Sequence, residues 1–179
     1  WDVISQAELN DVINWAIGYD DDGTTTPVDT SRGWLLGDML HGKPLVINYG
    51  ARGTFTQTNP DLRIAVGTNG AFLHLFGNDD VQEDWAFVPK ELGPVITRRY
   101  FNTLSSDHAY GIDSPPIVHV EDKNLDGTID STVGDKVFLY FGLRRGGQAL
   151  YALDVSNPDS PTYKWRIDQN TSGFSELGQ

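Results

Sequence analysis

The chain has no cysteine, which excludes both a disulfide framework and a thiolate metal site. Basic residues are scarce, 13 against 25 acidic ones. The formal net charge of -12 argues against nucleic-acid phosphates, whose binding needs a positive surface, and points to cations or basic partners instead. No apolar run reaches the roughly eighteen residues of a membrane-spanning helix. The histidines His41, His74 and His119 stand singly, without a metal-binding spacing such as His-Glu-x-x-His. The chain opens at Trp1 rather than Met, so it reads as a piece of a longer protein.

Its 179 residues suffice for a domain with a real core. In "SQAELNDVINWAIGY", Ser5 and Glu8 have capping-box spacing, and Leu9, Val12, Ile13 and Ala16 recur at helical period. One amphipathic helix is expected there, ending near Gly18 and followed by the polar loop "DDDGTTTPVDTSRG". From Pro44 onward, short apolar runs separated by turns indicate an all-β domain with helix largely finished.

The chain also resembles itself. Pro44 aligns with Pro116, Asp61 with Asp135, Gly67 with Gly142, Gly70 with Gly147, and Trp85 with Trp165. The offset drifts from 72 to 80 residues, as small loop insertions would make it do. Each unit reads as a four-stranded antiparallel meander with a tight hairpin at "GTNG" or "GLRRGG" and a tryptophan on its last strand, which is the pattern of a propeller blade. The expected fold is a mainly β, partial propeller of two blades. Residues 1–43 form a helix and loop lead-in, 44–100 the first blade, and 101–179 the second blade with its tail. Two blades cannot close a ring that typically takes about 4 to 8. An open edge would then invite pairing with another copy.

The chemistry concentrates in "DKNLDGTID", Asp122 to Asp130. Calcium takes about 6 to 8 oxygen ligands, and a short loop can wrap it when alternate side chains turn inward. Asp122, Asn124 and Asp126 fill the first, third and fifth places of such a loop. Gly127 occupies the sharp turn, Thr128 offers its backbone carbonyl, Ile129 can pin the loop to the core, and Asp130 is ninth. The twelfth place, normally a bidentate glutamate, is Val133, so further ligands must come from water or from elsewhere in the fold. Strands rather than helices flank it, so the loop is EF-hand-like without a helix pair to open. The bland alternative is a solvated acidic connector.

Other clusters carry less. The adjacent aspartates of "YDDDG" rarely converge on one ion, and "SSDHAYGID" places Ser105, Ser106, Asp107 and His108 together without a nucleophile elbow. "GLRRGG" lacks the lysine and helix of a phosphate loop, so Arg144 and Arg145 are expected at a hairpin tip where they could touch a partner. No catalytic residue is assigned.

In order, "SRGWLLGDMLHGKPLVINYG", "IAVGTNGAFLHLFG", "DWAFVPKEL", "DKNLDGTID" and "GGQALYALDVSNPDSPTYKW" resemble the C-terminal domain of PilY-type proteins of the type IV pilus system, over roughly residues 4 to 179. The resemblance implies a quinoprotein-like β-propeller at the outer surface of a Gram-negative bacterium and at pilus tips. It implies roles in pilus assembly, retraction control, twitching motility and adhesion, with Ca2+ on Asp122, Asn124, Asp126, Thr128 and Asp130. Partners would be pilin or minor pilins and a host or surface receptor, and no enzymatic activity is implied. Two alternatives are a fragment of a quinone-dependent dehydrogenase propeller and a calcium-independent propeller scaffold for protein partners.

Overall fold

The computed structural model describes residues 5–20, 31–33, 35–79, 82–102 and 107–177. The first helix, α1 (Gln6–Ala16), begins where the Ser5 hydroxyl accepts the Glu8 amide at 3.2 Å, satisfying one of the donors that a helix start leaves free. Its buried stripe is narrow. Val12 is fully enclosed, whereas Ile13 is exposed.

Two four-stranded antiparallel sheets follow, each in simple chain order. The first comprises β1 (Leu45–Gly50), β2 (Asp61–Gly67), β3 (Leu73–Gly77) and β4 (Glu83–Phe87). The second comprises β5 (Ile117–Glu121), β6 (Lys136–Gly142), β7 (Ala149–Asp154) and β8 (Thr162–Asp168). Pro44 and Pro116 each stand immediately before a first strand, where the missing amide donor costs no ladder bond. Along β6, buried Val137, Leu139 and Phe141 alternate with half-buried Lys136, Phe138 and Tyr140, the period-two signature of a strand with one inner face.

The internal repeat extends to irregularities. A register shift interrupts β3 against β4 at Leu75/Phe76, and another interrupts β7 against β8 at Ala152/Leu153. These bulges lie beside Trp85 and Trp165, so the aligned tryptophans hold equivalent places in their sheets.

One expectation fails. A second helix, α2 (Gly93–Tyr100), follows a 3-10 turn at Lys90–Leu92, in the stretch where helix was expected to be over. Val95, Ile96 and Thr97 are weak helix formers, so local propensity gave little signal. What holds the helix is tertiary: Leu92, Ile96 and Thr97 are buried, and Pro94 suits the first turn.

The sheets stack on a shared core. Ile47, Tyr49, Leu73 and Leu75 of the first belong to the same buried cluster as Val137, Leu139, Phe141 and Leu153 of the second, together with Val12 and Ile96 from the helices. Phe87 meets both Phe141 and Tyr151 edge to face, an arrangement aromatic quadrupoles favour. Polar contacts cross the same boundary. The Tyr49 hydroxyl donates to the Val155 carbonyl at 2.7 Å, and Trp85 Nε1 donates to the Pro158 carbonyl at 2.7 Å. Arg52, bonded to Asp61 of its own sheet at 3.1 Å, crosses to Asp159 at 3.0 Å, while Glu91 accepts from Tyr151 and Arg166 of the second sheet. Trp85 thus packs between the sheets. Trp165 lies instead on the outer face of the second sheet, 39% exposed, beside Tyr140.

Tyr49→Phe leaves the buried Val155 carbonyl without its donor, so a loss of about 1–2 kcal/mol is expected in urea unfolding, with m unchanged. Acid should act through Asp154 and Asp168. Burial raises the pKa of each, but it is outweighed for Asp154 by Ser156, Lys136 and Lys164, and for Asp168 by Arg166 and Thr171, so both are held below the usual aspartate value. A carboxyl depressed in the folded state contributes stability that is complete above its unfolded pKa and is lost as pH falls through the folded one. Thermal scans should therefore give a constant midpoint from neutrality to about pH 5 and a falling one below about pH 4.

Candidate metal centre

The Asp122–Asp130 loop connects β5 to β6 at the boundary between the two sheets. Its backbone winds around Asp122, whose Oδ1 accepts the Leu125 amide at 2.7 Å and whose Oδ2 accepts the Gly127 amide at 2.8 Å. Leu125 (φ 59°) and Gly127 (φ 78°) take the left-handed conformation that makes the reversal, and glycine does so without steric cost. Asp126 Oδ1 accepts from the Thr128 amide at 2.8 Å, and its Oδ2 accepts from Asn124 Nδ2 at 2.9 Å.

Two anchors fix the loop to the rest of the protein. Asp135, with no solvent exposure, accepts the Lys123 amide on one carboxylate oxygen at 2.9 Å and the Asp130 amide on the other at 3.0 Å. Ile129 is buried, and its amide donates to the Tyr49 carbonyl of β1 at 2.9 Å. The approach is tight. A Cβ on Gly50 would lie 2.1 Å from the Gly127 carbonyl oxygen and 2.8 Å from the Thr128 Cα, so only glycine fits there.

The structure brings Asp122, Asn124 and Asp126 together within one turn of loop, with Thr128 bonded to Asp126 through its amide. Asp130 is engaged differently. Its Oδ1 accepts the hydroxyl of Thr132 at 2.7 Å and the Thr132 amide at 2.8 Å, and these two bonds hold its carboxyl below the usual aspartate pKa. Among the described residues, no three His, Cys, Asp or Glu side chains converge as a ready-made cage. The donor set nevertheless fits a hard cation: every side chain in it offers oxygen, each bonded carboxylate oxygen of Asp122 and Asp126 keeps a second lone pair, and Asp130 has Oδ2 to offer because both Thr132 bonds fall on Oδ1. Magnesium, which demands a tighter octahedron, fits less well.

Sequence reasoning missed Asp135, Gly50 and the Tyr49 carbonyl. The signal for Asp135 was its alignment with Asp61, which is equally enclosed and stands at the same strand start. Of the other clusters, Asp21 and Asp22, like Ser105 and Ser106, lie outside the described residues. His108 stands 3.7 Å from Asp38. His41 bonds the fully buried Asp113 at 2.9 Å, and Arg144 reaches the same carboxylate at 3.3 Å. Arg144 therefore braces the hairpin of the second sheet, whereas Arg145 bonds Tyr110 at 2.8 Å on the surface. His74 is buried between Phe72 and Phe76, with Nδ1 3.0 Å from Glu83.

No family model matches the chain. The type IV pilus biogenesis factor PilY1 of Pseudomonas aeruginosa (strain UCBPP-PA14) is 30% identical over 162 residues, covering 80% of this chain and 13% of that protein. The PilY1 homolog of Xylella fastidiosa (strain Temecula1 / ATCC 700964) is 24% identical over 163 residues, covering 82% of this chain and 12% of that protein. The chain thus spans only 12 to 13% of the length of these curated relatives. The crystal structure of the Pseudomonas aeruginosa PilY1 C-terminal domain is 27% identical, with a TM-score of 0.41, over 62% of this chain and 20% of that one. The chain is homologous to part of the PilY1 type IV pilus biogenesis factors.

Proposed function

We propose that the chain is a calcium-binding β-propeller module of a type IV pilus biogenesis factor at the cell surface, where it regulates pilus extension and retraction and surface attachment. The observation that carries this reading is the loop wound around Asp122 and fixed to β1 through Ile129. Asp122, Asn124 and Asp126 would supply side-chain oxygens, Thr128 its carbonyl, and Asp130 a ligand through water, with the remaining places taken by solvent because Val133 replaces the usual glutamate. A bound ion would relieve repulsion among the loop carboxylates and, through Ile129 and Gly50, stiffen the junction of the two sheets. It stabilises the folded state by mass action, in proportion to how far calcium exceeds its dissociation constant. The acidic surface around the loop suits basic segments of pilin, minor pilins or a surface receptor as partners.

We also propose that the outer face of the second sheet is a stacking surface for another sheet of the propeller type. Ile117 is 67% exposed, and Tyr140, Leu150 and Trp165 extend the same apolar face. A second copy can supply that sheet, as a further blade would within a longer chain.

Calorimetric titration should find one calcium per chain, with a dissociation constant of about 10⁻⁶–10⁻⁴ M, and Asp126→Ala should weaken it at least about tenfold. Absence of calcium heat in the unsubstituted protein overturns the reading. Sedimentation at increasing concentration should show self-association that Ile117→Lys abolishes, and a strict monomer removes the stacking proposal while leaving the calcium one intact.

A further inference from the structure

The end of the first sheet away from Gly50 and Asp61 carries a second polar centre. There the Thr68–Gly70 hairpin, the last turns of α1 and α2 and residues 35–38 surround a cleft of about 420 Å³. One wall is apolar, built from Trp15, Leu35 and Phe72. The other carries Arg32, Arg98 and Arg99; among the described lining residues the carboxylate facing them is that of Asp38, and the charge of Asp20 also acts on Arg32. Three guanidinium groups on one cleft are conspicuous in a chain of net charge -12.

Their hydrogen bonding is incomplete. Among the described residues, the buried side-chain nitrogens and oxygens without a partner are Arg32 Nε and Arg99 Nε, and both residues line this cleft. Buried donors are nearly always paired, and an unmade bond to a charged group is costly. Arg32 lies with its guanidinium carbon 3.8 Å above the Trp15 ring, and burial lowers its pKa against the opposing pull of Asp20. Arg99 donates to the Ala109 carbonyl at 3.4 Å and stands 3.7 Å from Asp38, a separation that leaves its charge only loosely matched. Arg98 donates to the Asp107 carbonyl. Asp38 is itself shared with Asn69, at 2.7 Å, and His108.

We propose that this cleft binds a carboxylate attached to an apolar or aromatic group, with the carboxylate held by the guanidinium groups of Arg32 and Arg99 that line it and the apolar arm lying against Trp15 and Phe72. A planar carboxylate matches the guanidinium fork, and the apolar wall has nothing to offer inorganic phosphate. A free aromatic acid and the C-terminal carboxylate of a peptide share this chemistry. The inference is independent of calcium, because the loop lies at the other end of the sheet.

The test is calorimetry and tryptophan fluorescence on the full chain, with phenylacetate, phenylacetamide, inorganic phosphate, and a peptide ending in phenylalanine as free acid or amide. Saturable phenylacetate binding is expected, weaker by about tenfold or more for the amide and in Arg32→Gln or Arg99→Gln, and unchanged in Arg145→Gln. Tighter binding of the free-acid peptide than of phenylacetate would assign the source to a chain terminus, and the reverse to a small acid. Should a glutamine variant unfold, Arg99→Lys, which keeps the charge but loses the planar guanidinium fork, must still weaken binding. Equal affinity for acid and amide, preference for phosphate, or unchanged affinity in folded arginine variants overturns the assignment.

Discussion

Asp135 is a carboxylate without solvent, and its two oxygens receive backbone amides from near the start and the end of the Asp122–Asp130 loop. A charge so enclosed is tolerable only when each oxygen is bonded, so burial of Asp135 and closure of the loop depend on each other. With its ends clamped and Asp122 gathering the Leu125 and Gly127 amides inside, the connector holds its curvature through bonds of its own. A cation entering such a loop orders little additional chain, which is the entropic advantage of a preorganised site. Asp61 occupies the corresponding start of β2 and is equally buried, but Arg52 and Arg63 neutralise it. One position of the repeat therefore has two solutions. Cations stabilise it in the first sheet, and loop amides do so in the second.

The same clamp joins loop and sheet stack mechanically. Ile129 is embedded in the core, its amide is held by Tyr49, and the Tyr49 hydroxyl crosses to Val155 beyond β7. The chain of contacts from loop to β1 to the second sheet contains no flexible surface side chain. Gly50 makes it close enough to work, since a methyl group there would have to displace backbone of the loop. Loop and sheet stack therefore share one buried residue, Tyr49, as their point of attachment.

Most strands were legible because they obey rules local to a few residues: a proline before the first strand, alternation along β6, a glycine at the end of β2 and β6, a tryptophan after the hairpin. The oxygen-bearing side chains proposed as ligands were picked out by spacing alone, a property of consecutive residues, and the structure places Asp122, Asn124 and Asp126 in one turn of loop. Contacts between distant segments were not. Nothing local tells that Asp135 is buried against two amides or that Gly50 faces Gly127. The short α2 escaped because Val95, Ile96 and Thr97 argue locally against helix, and its stability comes from residues that bury Ile96.

Charge placement gives the first sheet two unlike ends. Arg52 and Arg63 are occupied by Asp61, Asp84 and Asp159, so the end near the loop retains the aspartates of the loop as its uncompensated charge. At the hairpin end, among the described residues, Arg32, Arg98 and Arg99 stand against Asp38 and the pull of Asp20. β2 runs between these ends over seven residues, a span of about 20 Å at the usual rise per residue. That is more than twice the screening length of about 8 Å at physiological ionic strength. Filling the acidic end with a divalent ion therefore leaves the potential at the arginine cleft almost unaltered. Coupling between the two ends would have to pass through the packing of β1, β2 and the shared core rather than through the field.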